Sequence, residues 1–208
     1  MQAKKIVFPV FLVIAFAAGI GASLMLERRG ATPDIEGLLW PEPRALQAFE
    51  LVDQDGKPFD LARVRDHWTL LFFGYTFCPD VCPVTLSALA EAQARLEQDG
   101  AGADLQVVFV SLDPERDTPQ RLGEYVHFFA PGFLGVTGSE EALGVLNRQL
   151  GVIGFKGEKD ADGNYLVDHT AAVMLLDPQA RLVGIFRTPH QPADIAARVR
   201  GIREFIDG

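Results

Sequence analysis

The chain has 208 residues, 48% of them hydrophobic, and a formal net charge of −9 at pH 7. That length and apolar share suit one globular domain with a full core. No basic stripe exists to meet a phosphate backbone, which excludes nucleic acid as a partner.

Ile6 through Leu26 carries no charge and is long enough to cross roughly 30 Å of hydrocarbon as a helix. Lys4 and Lys5 precede it; Glu27, Arg28 and Arg29 follow it. A cleaved signal peptide is the competing reading, with Gly21-Ala22-Ser23 as its cleavage site, but its apolar part would be roughly 7–15 residues. The length favours a retained anchor with the N-terminus inside and the domain outside. No cysteine follows closely enough for a lipid-anchored form. No Arg/Ser-rich amphipathic presequence is present, which points to a bacterium. The expected placement is therefore the bacterial inner membrane, with the domain facing the periplasm. Residues 1–29 form the anchor. Residues 30–43, with Pro33, Pro41 and Pro43, form a tether. Residues 44–208 form the domain.

In the domain, Phe49 to Phe59 reads as a hairpin turning at Asp55-Gly56. Thr69 to Tyr75 is a buried strand. Pro83, placed at the first helical position, opens a helix over Val84–Gln98, with Leu86, Leu89, Ala92 and Leu96 on one face. A second buried strand spans Leu105 to Leu112. Thr118-Pro119 starts a helix to about Phe129, and Phe133 to Thr137 is a short strand. Ser139 caps a helix over Glu140–Leu150. Ala171–Leu176 and Arg181–Phe186 form a hairpin, and Pro192 opens a last helix through Phe205. This order predicts a thioredoxin-like α/β domain behind a single N-terminal transmembrane helix.

Cys78 and Cys82, the only two cysteines, follow the first buried strand. Open α/β sheets hold their ligands at such carboxyl ends of strands. Their spacing, about one helical turn, suits two chemistries: gripping one soft metal ion, or closing into a disulfide. A purely structural disulfide is the weaker reading, since closing so short a loop gives only roughly 2 kcal/mol in the chain-entropy treatment. Two thiolates need a further ligand for a tight site. His67, His127 and His190 read as surface or packing residues. His169, before the Ala171–Leu176 strand, would face the cysteine loop in a thioredoxin-like domain. Asp113, Glu115, Arg116 and Asp117 read as a capped, solvated turn.

Three segments resemble the signature blocks of the SCO/SenC family. They are Phe73-Gly-Tyr-Thr-Phe-Cys78-Pro-Asp-Val-Cys82-Pro, Val110-Ser-Leu-Asp-Pro-Glu-Arg-Asp-Thr-Pro119 and Val167-Asp-His169-Thr. The resemblance runs from about Trp40 to the C-terminus. It implies a membrane-tethered, thioredoxin-like copper protein that assists assembly of the CuA centre of cytochrome c oxidase, with Cys78, Cys82 and His169 as copper ligands. It implies as partners a copper-receiving oxidase subunit, a periplasmic copper donor and a thiol reductant. One departure is visible: Phe155 is the only aromatic in Gly151–Phe155, where many members carry tyrosines.

The donor chemistry agrees, since a Cys₂His set suits Cu(I) and imidazole extends tolerance to Cu(II). Pro83 suggests that Cys82 is the helix N-cap, where a thiol pKa is lowered. Asp168 is expected to point away from His169, as neighbours in an extended chain do. The protein thus reads mainly as a metallochaperone. Two alternatives use the same cysteines. A thiol–disulfide oxidoreductase would cycle a Cys78–Cys82 disulfide, although such enzymes normally space their cysteines one residue closer. A peroxiredoxin-like peroxidase is suggested by Thr76-Phe77 and Cys82-Pro83-Val84-Thr85, but leaves Cys78 and His169 without a role.

Overall fold

A computed structural model describes residues 35–39, 41–161 and 163–207, together with Phe16 and Gly19. Apart from those two residues, the Ile6–Leu26 span lies outside the described part. Among the described residues no helix is long and apolar enough to cross a membrane.

The elements follow in chain order as β1 (Arg44–Ala45), β2 (Glu50–Asp53), β3 (Pro58–Asp60), α1 (Leu61–Val64) and β4 (Trp68–Gly74). Next come α2 (Val81–Gln98), β5 (Leu105–Ser111), α3 (Pro119–Phe129), β6 (Leu134–Thr137) and α4 (Glu140–Leu150). The chain closes with β7 (Gly154–Lys156), β8 (Val167–His169), β9 (Val173–Leu176), β10 (Arg181–Phe186) and α5 (Pro192–Asp207).

Eight strands form one mixed sheet in the order β1-β10-β9-β4-β5-β6-β2-β3. β4, β5 and β6 run parallel, with β4 and β5 in register from Trp68↔Leu105 to Gly74↔Ser111. β9 pairs antiparallel to the other edge of β4. Every residue of β4 is buried, as expected for a parallel strand covered on both faces. Its side chains divide by alternation. Leu70 and Phe72 join one core with Leu86 and Leu89 of α2 and Val199 and Ile202 of α5. Leu71 and Phe73 join a second core with Leu143, Leu146 and Leu150 of α4. Helices therefore cover both faces of the sheet.

The helix starts follow the capping residues. Thr118 Oγ1 accepts from Arg121 N at 3.3 Å, and Ser139 Oγ accepts from Ala142 N at 3.2 Å. α4 stops at Gly151, whose φ of 69° is the left-handed conformation glycine tolerates. At the amino end, Leu39 N donates to Val183 O at 2.7 Å and Ile185 N to Gly37 O at 2.9 Å. Residues 37–39, expected as part of a tether, thus lie along β10.

Two sequence expectations change. α2 begins at Val81 with Asp80 as its N-cap, so Cys82 is its second residue and not the cap. Pro83 falls third, still within the first turn, whose N–H groups need no intrahelical partner. In addition, His169 does not merely precede β9. It ends β8, which pairs with β7 in a separate two-stranded ribbon with Gly154 opposite His169.

Candidate metal centre

β4 delivers the chain to the cysteine loop at Gly74. The chain then turns at Thr76 and Phe77, and Cys78 N donates to Tyr75 O at 3.2 Å. Cys82 follows on α2 and is fully buried, while Cys78 is half-buried; both are free thiols. Gly74 is demanded by close approach. A Cβ there would lie 2.5 Å from Cys82 Sγ and 2.8 Å from a Phe109 ring carbon.

His169 reaches the thiols from the β7–β8 ribbon. Its Nε2 is 3.4 Å from Cys82 Sγ, and its Nδ1 is 3.4 Å from the Thr170 carbonyl. A proton on Nδ1 points at that carbonyl and leaves the Nε2 lone pair facing the sulfur. The imidazole stands edge-on to Phe72 and Tyr75, each 6.1 Å away between centroids. Burial lowers its pKa, which favours the neutral, ligating ring. Asp168 is exposed, as expected.

One donor atom from each of Cys78, Cys82 and His169 lies within 4.8 Å of the others. Ligands held roughly 2.0–2.3 Å from a metal stand about 3.5–4 Å apart, so a slight contraction closes the three on one ion. The three residues are thus brought together. The other histidines are not. His67 and His127 are exposed, and His190 packs edge-on to Phe72 with Nε2 2.9 Å from the Ala171 carbonyl.

The electrostatics of Cys82 reverse the sequence expectation. Burial pushes its thiol pKa up. The helix start is present, but desolvation outweighs it where the sulfur meets Gly74 and the core instead of water. That environment is opposite to the activated thiolate of a peroxidase. A metal ion, by contrast, displaces the proton on binding.

The charged turn also differs from expectation. Asp113 and Asp117 are 0% and 1% exposed. Asp117 accepts from Thr76 N at 2.9 Å, from Thr76 Oγ1 at 2.6 Å and from the Ser111 hydroxyl. Arg121 Nε donates to Thr76 Oγ1 at 2.7 Å, and its guanidinium lies 3.9 Å from the Phe77 ring centre. Asp113 pairs with Arg116 and accepts from Tyr165 Oη at 2.6 Å. Arg116 stacks over Tyr165 at 3.6 Å. The charges and Pro114 read as a surface turn, and Glu115 is indeed exposed; only the tertiary fold reveals that Asp113 and Asp117 are buried against donors.

A mixed sheet covered on both faces, with two thiols at a strand end and a histidine facing them, defines a thioredoxin-like domain carrying a soft-metal or dithiol centre. The SCO1/SenC family model matches residues 41–204, and the chain belongs to that family. A Stutzerimonas stutzeri protein named for copper binding is 37% identical over 178 residues, covering 86% of each chain. The bovine mitochondrial SCO2 homolog is 37% identical over 152 residues, 73% of this chain and 57% of the bovine one, so the match spans just over half of that relative. The crystal structure of Arabidopsis thaliana ScoI with copper bound superimposes with a TM-score of 0.71 at 36% identity, covering 78% of this chain and 98% of that one.

Proposed function

We propose that this protein takes up one copper ion through Cys78 Sγ, Cys82 Sγ and His169 Nε2 and passes it to a copper-receiving subunit during assembly of the CuA centre of cytochrome c oxidase. The observation that carries the reading is the convergence of two thiols and one imidazole within 4.8 Å. The donor set supports copper as the cargo, since two thiolates and an imidazole are soft enough for Cu(I) and accommodate Cu(II). The copper bound in the Arabidopsis thaliana structure and the copper-binding name of the Stutzerimonas stutzeri relative support the same choice.

The geometry suggests the direction of transfer. Cys82 is enclosed, whereas Cys78 and His169 are half-buried. An incoming donor atom of the partner would reach the metal from the Cys78–His169 side. Phe77 beside Cys78 and Ile153 and Phe155 of the ribbon segment are exposed apolar side chains suited to line that approach. Residues 1–29 would hold the domain at the bacterial inner membrane, facing the periplasm, with the tether ending before residues 37–39, which lie along β10. There a copper donor would load it and a thiol reductant would keep Cys78 and Cys82 reduced.

A second reading rests on the same two free cysteines. They would act as a dithiol that reduces the cysteine pair of the oxidase subunit or of another periplasmic target, ending as a Cys78–Cys82 disulfide. His169→Ala separates the two. Loss of oxidase activity that added copper restores supports delivery. Normal oxidase assembly with His169→Ala, combined with failure in Cys78→Ser cells, supports thiol reduction and overturns the delivery reading.

A further inference from the structure

The two halves of the site come from separate sheets, so something must set the distance between them. The cysteine loop leaves the eight-stranded sheet, and His169 ends the two-stranded ribbon. One short segment touches both. After β5 the chain makes the tight turn Asp113–Asp117, closed by Asp117 N donating to Asp113 O at 2.9 Å. The carboxyl at one end of this turn faces the cysteine loop, and the carboxyl at the other end faces the chain leading into the ribbon.

At the first contact, Thr76 gives Asp117 both its backbone N–H and its hydroxyl, two residues before Cys78. The same hydroxyl accepts from Arg121, so it both donates and accepts at this contact. At the second contact, Tyr165 Oη donates to Asp113, four residues before His169, and Arg116 holds Asp113 while stacking on the Tyr165 ring. Both carboxyls are enclosed, where hydrogen bonds are strong and an unmade one is expensive. Lys156 of β7 also reaches Glu115 at 2.8 Å, but that pair is more open to solvent and such pairs contribute little.

We propose that the Asp113–Asp117 turn is the common brace of the site: Asp117 positions the cysteine loop through Thr76, and Asp113 positions the His169 ribbon through Tyr165. These are positioning residues, since none of them reaches the thiols or the imidazole. The proposal rests on the copper reading for its metal arm and is independent of it for its thiol arm. Its particular content is separability: breaking one contact disturbs one half of the donor set and spares the other.

The test uses the full chain in detergent with Thr76→Val and Tyr165→Phe, each removing one hydroxyl and nothing from the core. Two quantities are read. One is Cu(I) affinity by chelator competition, with X-ray absorption of the loaded protein. The other is the equilibrium of the metal-free dithiol with glutathione, in which Cys78 and Cys82 lose two electrons and two protons to form a disulfide. Glutathione disulfide takes them up as two glutathione thiols. Thr76→Val should lower Cu(I) affinity about 10–100-fold and shift the dithiol equilibrium about fivefold or more, with Thr76→Ser restoring both. Tyr165→Phe should lower affinity about tenfold and weaken the imidazole contribution, with the dithiol equilibrium within about twofold of wild type. Affinities within twofold of wild type in both variants would overturn the proposal, as would equal shifts of both quantities in both variants. If the unsubstituted protein binds no Cu(I), the copper reading fails alone. The metal-free equilibrium still decides the brace, with unequal shifts supporting it and equal shifts contradicting it.

Discussion

Cys82 and His169 face each other across 3.4 Å, yet they hang on very different supports. Cys82 belongs to the main core. It is enclosed by the α2 face, by Phe109 and by the bare backbone of Gly74. His169 belongs to a ribbon of two three-residue strands, and all three residues of β7 are exposed. The ribbon buries Val167 and Tyr165 and is otherwise tied down by polar contacts. An isolated two-stranded ribbon is marginal in water, so its placement depends on those contacts. The thiols therefore share the stability of the domain, while the imidazole can be moved by a local change. For a protein that must both hold and release an ion, the ribbon is the natural place for release to begin.

The largest expected effect breaks the rigid half. Cys82→Ala should abolish copper uptake, from one ion per chain to none by metal analysis, because one thiolate and one imidazole do not make a tight soft-metal site. His169→Ala comes next. It should weaken copper binding by about 100-fold or more while Cys78 and Cys82 still cycle between dithiol and disulfide; chelator competition and thiol counting check the two parts. An unaltered affinity would mean that the imidazole is not a ligand.

Gly74→Ala acts on the rigid half through packing. Its methyl would collide with Cys82 Sγ and Phe109, neither at the free end of a long side chain. The substitution should destabilise the fold by about 1–3 kcal/mol in urea unfolding and reduce copper affinity together. A similar small-to-larger change at Gly154 meets Leu112 at 2.9 Å and should shift the ribbon, with less effect on unfolding. The smallest effect is expected from Lys156→Ala. It removes the solvent-exposed ties from β7 to Glu115 and Glu140 and should alter copper affinity less than about twofold. A tenfold loss there would show that the ribbon is held from its surface and not through Tyr165.

How much of this was legible in the sequence follows the same division. The rigid half was readable. The apolar runs of β4 and β5, the caps at Thr118 and Ser139 and the Cys78–Cys82 spacing are periodic or local signals, and each survived in the fold. The ribbon was not. Gly154–Lys156 has no buried face and hence no alternation to detect, so from sequence His169 reads as the entry loop of the strand that follows. Asp113 and Asp117 were read as solvated because charge usually is; their donors, Thr76 and Tyr165, come from distant parts of the chain. Cys82 was expected to be acidic because a helix start was visible, whereas the burial that overrides it depends on Gly74 and Phe109, which only the packed structure brings together.

If both thiols and the imidazole hold one copper ion, X-ray absorption of the reduced full chain, titrated with copper to saturation, will show all three. The expected result is one copper per chain with two sulfur ligands and one imidazole nitrogen, and loss of all sulfur scattering when Cys78 and Cys82 are oxidised to the disulfide. Spectra without copper–sulfur scattering, or a stoichiometry that Cys82→Ala leaves unchanged, would contradict it.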